Sequence, residues 1–260
     1  MPIQRCAFCN NQTSRIKMCT VSYLPLKDAN YILTSNRDES PKRPNALPIN
    51  QYCIGDKTVY FPKDPQAGGT WIATTGDDRT ICLLNGAFQP HVQQAGQTYS
   101  KSRGIVVLDY FRYTGLLDYA EQYDFDQVEP FTLIVLETTN SQTQLTELRW
   151  DGESLHSTAM DETIPHIWSS VTLYSPEVRL QRTNWFDQWI NEHVAFAQDK
   201  VMDFHRFAGE GDQTSDLIMQ KGNRQTVSIC SIQRNEGLTT AVYVDLLKEE
   251  TSNYLVYHAC

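Results

Sequence analysis

The sequence predicts an α+β fold built on largely antiparallel sheets, and three observations support this prediction. Short segments rich in β-branched and aromatic residues lie toward both ends of the 260-residue chain, and the clearest helical pattern lies between them. Strands and helices do not alternate as they do in a doubly wound parallel sheet. No internal repeat and no linker follows residue 18, so we expect a single domain over residues 18–260.

The first half of the chain favours strands joined by turns. Residues 19–24 and 30–35 have strand composition and flank a turn that begins at Pro25. Three prolines within residues 40–51 predict a loop. The stretches "GGTWIATT" and "RTICLLN" flank Gly76-Asp77-Asp78, which predicts a hairpin.

Two helical regions and further strands follow. Residues 100–113 predict a helix capped by Ser100 and ended by Gly115. "FTLIVLE" is typical of a buried strand, and "TQLTELRW" runs into an Asp-Gly turn. Residues 175–197 give the clearest helix, with Ser175 as its cap and a proline at its first position, and a second helix follows over 199–208. The C-terminal third returns to strands.

Charge and hydropathy exclude several classes of protein. The net charge of −9 argues against nucleic acid as a partner and against a polybasic membrane anchor. No apolar run approaches the roughly 18 residues that a membrane span needs, and the first 17 residues have no apolar core of a secretory signal. We therefore expect a cytoplasmic protein whose partner is a small-molecule substrate or ligand; the sequence does not predict an oligomeric state.

The seven cysteines are odd in number and scattered, which is typical of free thiols. Cys6 and Cys9 form half of a zinc site, but no second close pair completes it. We predict no metal and no cofactor. Residues 1–17 are interpreted as a leader that is either disordered or the product of a mis-assigned start.

Met18-Cys19 has the character of a chain start, because removal of a methionine before a small residue would give Cys19 a free α-amine. An α-amine has a pKa of roughly 7.7–8.0 and can therefore act as a base at neutral pH. It would activate the thiol on its own residue, as in enzymes with an N-terminal threonine. The alternative is that Cys19 is a small buried strand residue.

Two further segments carry candidate site residues. "SNRDES" places Arg37 and Asp38 at the end of the second predicted strand, where a guanidinium could lower the pKa of a thiol and a carboxylate could orient an amine. The alternative is a solvated loop with weak surface pairs. "LLNGAF" places Asn85 before Gly86, where it is either a functional amide or a turn residue.

The combination of these segments resembles the NRDE family, also called the transport and Golgi organisation protein 2 family. The motifs are "MCTVSYLP…NYILTSNRDES", "AGGTWIAT", "CLLNGAF", "SRGIVVLDYF" and, more loosely, "YSPEVR", and they cover nearly the whole chain from Met18. The family is similar to the cysteine N-terminal-nucleophile hydrolases that include penicillin V acylase and bile-salt hydrolase. The resemblance implies a four-layer αββα sandwich of two mostly antiparallel sheets.

The resemblance also implies roles for individual residues. Cys19 would be the nucleophile with its own amine as base, Arg37 and Asp38 would stand near it, and Asn85 would help to hold the acyl oxygen, where charge develops in the transition state. Asn36 and Ser170 are predicted to contact substrate. Ser170 stands where many relatives carry an asparagine, and a serine is a poorer donor at that reach.

Three functions follow as hypotheses. The first is a cysteine hydrolase that cleaves a linear amide or thioester. The second is a non-catalytic handling protein for haem, acyl-CoA or lipid that uses the same fold, with a haem ligand sought among His91, His166, His193 and His205 and an apolar lining in Trp185, Phe186 and Trp189. The third is a structural protein with no small-molecule site.

Overall fold

The computed structural model describes residues 20–91 and 99–256 of the chain. The predictions that concern the leader 1–17, Cys6, Cys9, Met18 and Cys19 fall outside these described residues. Within them the chain forms fourteen strands and four helices. The strands are β1 Thr20–Pro25, β2 Tyr31–Glu39, β3 Leu47–Ile54, β4 Lys57–Lys63, β5 Ile72–Thr74, β6 Arg79–Asn85, β7 Phe131–Thr139, β8 Gln142–Trp150, β9 Leu155–Met160, β10 His166–Ser169, β11 Gln220–Lys221, β12 Arg224–Asn235, β13 Leu238–Asp245 and β14 Glu250–Val256.

The strands form two seven-stranded sheets in which every described strand pair is antiparallel. The first sheet has the order β10-β1-β2-β12-β13-β14, with β11 paired to β12. The second sheet is a meander in chain order from β3 to β9. The first sheet therefore joins the two ends of the described chain, and this brings β1 and β2 against strands from the C-terminal third.

The four helices lie in pairs against the two sheets. The helices are α1 Arg103–Tyr110, α2 Leu116–Gln122, α3 Pro176–Asn191 and α4 Gln198–Phe207. Helix α1 packs on β5 and β6, while α3 packs on β10 and α4 on β2 and β12. The result is the predicted four-layer αββα sandwich, with one helical layer outside each sheet. None of these helices, within the described residues, is long and apolar enough to cross a membrane.

Most predicted helices and strands are confirmed. Some of their ends differ from the prediction, because burial depends on distant residues that a local sequence pattern does not show. The hairpin β5–β6 and the strands β7 and β8 lie where the sequence predicts them. Helix α3 begins after Ser175, whose hydroxyl accepts a bond from the N–H of Val178, but it ends at Asn191. Helix α1 begins after Ser102, so the prediction that Ser100 caps it is wrong. The proline-rich loop prediction is also wrong in part, because β3 starts at Leu47.

Strand β2 continues to Glu39, whereas the sequence predicted that it ends at residue 35. All nine of its residues are buried, including the four polar ones from Asn36 to Glu39. Pairing with β12 through Gln225↔Glu39 carries the ladder to the end of the motif. The NRDE segment is thus a central strand and not a solvated loop, and each of its polar side chains must find a partner inside the protein.

Candidate functional site

Strand β1 is the starting point for the candidate site because it directly follows Cys19 in the sequence. Thr20 pairs with Asn36 of β2 on one side and with Ser169 of β10 on the other. Successive side chains of a strand point to opposite faces, so Arg37 faces away from Asn36 and Asp38. The structure therefore divides the NRDE motif between the space between the sheets and the layer beneath α3 and α4.

Arg37 points into the space between the sheets. Its Nη2 lies 2.7 Å from Oδ2 of Asp64, which follows β4 of the second sheet, and its guanidinium lies 4.7 Å from the centre of the Trp71 ring. Arg43 also donates to Oδ2 of Asp64, through its Nε at 2.8 Å, and Glu39 lies within 3.9 Å of Arg37. These charges are buried, so they form a charged cluster that joins the two sheets.

The charged cluster sets the ionisation of its members. Burial alone would raise the pKa of Asp64, but hydrogen bonds from Arg43 and from the N–H of Ala67, together with the charge of Arg37, bring it below its usual value. Burial lowers the pKa of Arg37, and Asp64 and Glu39 oppose that effect. The cluster therefore places two carboxylates and two arginines close enough to compensate each other's charge.

Asn36 faces the opposite side of the sheet, and both polar atoms of its side chain form hydrogen bonds there. Its Nδ2 donates to the carbonyl oxygens of His205 and Leu217, at 3.1 and 2.8 Å, and its Oδ1 accepts a bond of 2.7 Å from Nδ1 of His205. The other ring nitrogen of His205 accepts from the hydroxyl of Ser22 at 2.7 Å. The predicted contact of Asn36 with substrate finds no free amide atom here, because all of them bind α4 and the following loop.

Asp38 lies on the same face as Asn36 and is likewise held by the protein. Its Oδ2 accepts from the Tyr174 hydroxyl and its Oδ1 from the Thr226 hydroxyl, both at 2.6 Å. The expected convergence of Arg37 and Asp38 on one pocket is therefore not seen, since the two side chains occupy opposite faces of β2.

Asn85 and Ser170 do come together. The Ser170 hydroxyl donates to the main-chain oxygen of Asn85 at 2.9 Å, and both residues are about 1 % exposed. The side-chain amide of Asn85 is buried, yet neither its nitrogen nor its oxygen has a hydrogen-bond partner among the described residues. A buried amide without a partner costs about 1–3 kcal/mol, so Asn85 is a candidate for hydrogen bonding to a ligand.

Asn85 lines a cavity of about 340 Å³ that opens between the end of β6, strand β10 and the start of α3. Ser169, the register partner of Thr20, lines the same cavity. Two arginines, Arg149 and Arg179, also contribute to its wall. The cavity thus reaches from Asn85 to Ser169, the strand position next to the beginning of β1.

Arg182 is a site residue that the sequence reasoning missed. It is fully buried on α3, donates to the Thr20 hydroxyl at 2.6 Å and to the carbonyl oxygens of Ser215 and Asp216, and stacks 3.7 Å from the centre of the Tyr174 ring. It forms no ion pair with a carboxylate of the described chain. The sequence does contain a signal for it, because Arg182 interrupts the row of apolar residues that otherwise runs along one face of the predicted helix.

The thiols of the described chain are not candidates for a nucleophile at this site. Burial raises the pKa of Cys82 to about 12, and it raises that of Cys230 well above the usual value. Cys53 is exposed on β3. Among residues 20–91 and 99–256, no group of three or more His, Cys, Asp or Glu side chains is placed to hold a metal ion. Cys19 itself lies outside the described residues.

Comparison with known proteins agrees with the fold. The structure resembles that of the Caenorhabditis elegans orthologue of N-acylethanolamine-hydrolyzing acid amidase, with a TM-score of 0.57 over 82 % of this chain and 92 % of that one. The two sequences are 8 % identical, so the likeness concerns the N-terminal-nucleophile hydrolase fold alone. No curated protein sequence matches the chain. The model of the Transport and Golgi organisation 2 family, however, matches residues 18–254, and the chain therefore belongs to that family.

Proposed function

We propose that this protein is a cysteine hydrolase that cleaves a linear amide or thioester, with Cys19 as an N-terminal nucleophile. The observation that carries the proposal is the Asn85 amide, which is buried without a partner at the wall of a cavity next to the start of β1. In such an enzyme this amide would donate to the acyl oxygen as negative charge develops there.

The position of Cys19 in the chain supports the same proposal. It directly precedes Thr20, whose partner on β2, Asn36, is the residue before Arg37. An arginine beside a thiol favours the thiolate, and the α-amine of the same residue would accept its proton.

The proposal gives Arg37 and Asn85 direct roles at the site, and it gives Asn36, Asp38 and Ser170 supporting ones. Ser170 would fix the Asn85 main chain instead of donating to the substrate, since its hydroxyl already binds the Asn85 oxygen. Asn36 and Asp38 would hold β2 against α4 and β12. Arg182 would position the start of β1 through the Thr20 hydroxyl.

The mechanism requires a free amine on Cys19, and this requirement gives the experiment. We would produce the chain from Met18 so that methionine removal leaves Cys19 first, and compare it with a form that retains one extra residue before Cys19. Hydrolysis of linear N-acyl amides and acyl thioesters is expected in the first form alone. The family match, which begins at residue 18, is consistent with such a start.

Two variants control this experiment. Cys19→Ala removes the proposed nucleophile and should abolish turnover, whereas Cys53→Ala removes an exposed thiol on β3 and should leave it unchanged. Equal activity in the blocked and unblocked forms would contradict the amine-as-base mechanism. If the Cys19-first form turned over none of the substrates, a non-catalytic handling protein for haem or acyl-CoA would become the better description.

A further inference from the structure

The charge of the 340 Å³ cavity differs from that of the protein as a whole. The chain has 31 acidic and 22 basic side chains, and its net charge is −9. The described residues that line this cavity nevertheless include Arg149 and Arg179 and no Asp or Glu. A larger cavity of about 760 Å³, beside the β1–β2 turn, is lined instead by Asp28 and Glu162 and by no Lys or Arg. The positive lining is therefore a local feature of the cavity next to Asn85.

The two arginines of the cavity are not equivalent. The charge of Arg149 is paired, because its Nε and Nη2 donate to the Glu147 carboxylate at 2.8 and 2.7 Å, and its Nη1 donates to the Ala87 oxygen at 2.7 Å. Arg179 forms no ion pair with any carboxylate of the described residues, and its buried Nε has no hydrogen-bond partner among them. Its charge influences Glu177, but that carboxylate is exposed and does not line the cavity.

We propose that this cavity binds a single carboxylate on the substrate and that Arg179 is the residue that recognises it. This inference rests on the proposed function, in which Asn85 would hold the acyl oxygen of the substrate at one end of the cavity. The unpartnered Nε of Arg179 would donate to the carboxylate at the other end, as arginines do in recognising planar anions. The substrate class is thus a linear amide or thioester that carries a negative charge.

A single carboxylate fits better than a phosphate group. Only one of the two cations has no carboxylate partner among the described residues, since Arg149 is already neutralised by Glu147. A dianionic phosphate would leave one negative charge in the cavity without a compensating cation, and an uncompensated buried charge costs free energy. A site with one available arginine is therefore suited to one negative charge.

Binding of a matched pair of probes tests the inference without any need for turnover. The probes are N-hexanoylglycine, which carries a carboxylate, and its uncharged analogue N-hexanoylglycinamide. Titration calorimetry on the full chain with Cys19→Ala, which prevents hydrolysis, gives the two dissociation constants. We expect the carboxylate probe to bind at least about tenfold more tightly, because a hydrogen bond to a charged group is worth about 1.5–3 kcal/mol.

Three variants in the same background assign the preference to one residue. Arg179→Gln should abolish it and Arg179→Lys should retain part of it. Arg206→Gln, which removes an exposed arginine from α4, should leave it unchanged. The ratio of the two constants is insensitive to a small loss of folded protein, and Arg179→Lys provides a second readout if Arg179→Gln folds poorly.

The outcomes separate this inference from the proposed function. Failure of the carboxylate probe to bind at millimolar concentration, equal binding of both probes, or an unchanged preference in Arg179→Gln would overturn the inference. If the preference depends on Arg179 but the Cys19-first chain hydrolyses nothing, the carboxylate site stands and the hydrolase proposal is wrong. If the Cys19-first chain hydrolyses uncharged substrates but neither probe is preferred, the hydrolase proposal stands and the carboxylate inference is wrong.

Discussion

At the scale of single residues, two buried asparagines of similar exposure differ in what they do. Asn36 uses its whole amide in bonds to His205 and Leu217, whereas the amide of Asn85 has no partner among the described residues. Substitution by alanine should therefore reduce mainly the stability at Asn36 and mainly the catalytic rate at Asn85.

Asn36→Ala should cost about 3 kcal/mol of unfolding free energy, because it leaves the His205 ring and two carbonyl oxygens without partners. Asn85→Ala should cost less than about 1 kcal/mol, since no hydrogen bond is lost, but it should lower kcat by roughly 10²–10³ if the amide holds the acyl oxygen. Urea unfolding and single-substrate kinetics measure the two effects. A large stability loss in Asn85→Ala would indicate that its amide has a structural partner after all.

His205 makes a second prediction at this scale. Burial and the nearby charge of Arg182 lower its pKa from 6.5 to about 3, so the folded protein keeps the ring neutral while the unfolded chain takes up a proton near pH 6.5. Stability is therefore lost as the pH falls below 6.5, with a slope of about 1.4 kcal/mol per pH unit for one proton.

Urea unfolding at several values between pH 5 and 6.5 measures this slope, in a window above the usual titration of carboxylates. On acidification, the unfolding free energy of the wild type should fall more steeply than that of His205→Gln, by about 1.4 kcal/mol per pH unit. His156→Gln, which removes a half-exposed imidazole, serves as the control. Equal slopes in the wild type and His205→Gln would show that His205 is protonated in the folded state.

At the scale of elements, two neighbouring glycines before β5 have different reasons to be glycine. A Cβ on Gly69 would lie within 2.6 Å of the Gly104 carbonyl oxygen, because this segment passes directly against the first turn of α1. Gly68 has a φ of +73° but open space around it. Gly69→Ala should therefore force α1 away from the sheet and cost about 3 kcal/mol, whereas Gly68→Ala should cost about 1 kcal/mol from backbone strain. Thermal unfolding of the two variants compares them, and equal losses would contradict the close-approach argument.

The elements also show how far the sequence alone could predict this fold. Hairpins and helix α3 were predicted because turn residues and periodicity are local signals. The extension of β2 through the NRDE motif was not, because four consecutive polar residues indicate a loop unless their partners are known. Those partners, such as Asp64, Thr226 and His205, lie 27 to 188 residues away along the chain and carry no local signature.

At the scale of the whole molecule, the candidate site forms only when the layers assemble. The resemblance identified Arg37 and Asn85, but the positions of Arg179 and Arg182 depend on how α3 docks beside β10 and β1. Strand alternation predicts that Arg37 and Asp38 face opposite ways once β2 is known to extend that far. The cavity and its positive lining could not be predicted, since they are formed by residues from both sheets and one helix.

The charged cluster between the sheets makes the prediction that belongs to this scale. Asp64 lies on the second sheet's side and accepts bonds from Arg37, Arg43 and two main-chain N–H groups, so it connects the sheets. Asp64→Asn removes the negative charge that compensates two buried arginines and should cost about 3–5 kcal/mol of unfolding free energy. Asp203→Asn, in an exposed pair with Lys200, should change it by no more than about 0.5 kcal/mol.

The pH dependence of the unfolding free energy shows whether Asp64→Asn destabilises the protein by removing a charge or by disturbing hydrogen-bond geometry. The folded protein holds the pKa of Asp64 below its ordinary value of 3.8, so its contribution is complete above that value and is lost as the pH falls through the folded pKa. The stability difference between wild type and Asp64→Asn should therefore be constant from pH 5 to 7 and shrink below about pH 4. Urea unfolding across this range measures it. A difference that persists at low pH would mean that Asp64 joins the sheets by its hydrogen-bond geometry, with its charge contributing little.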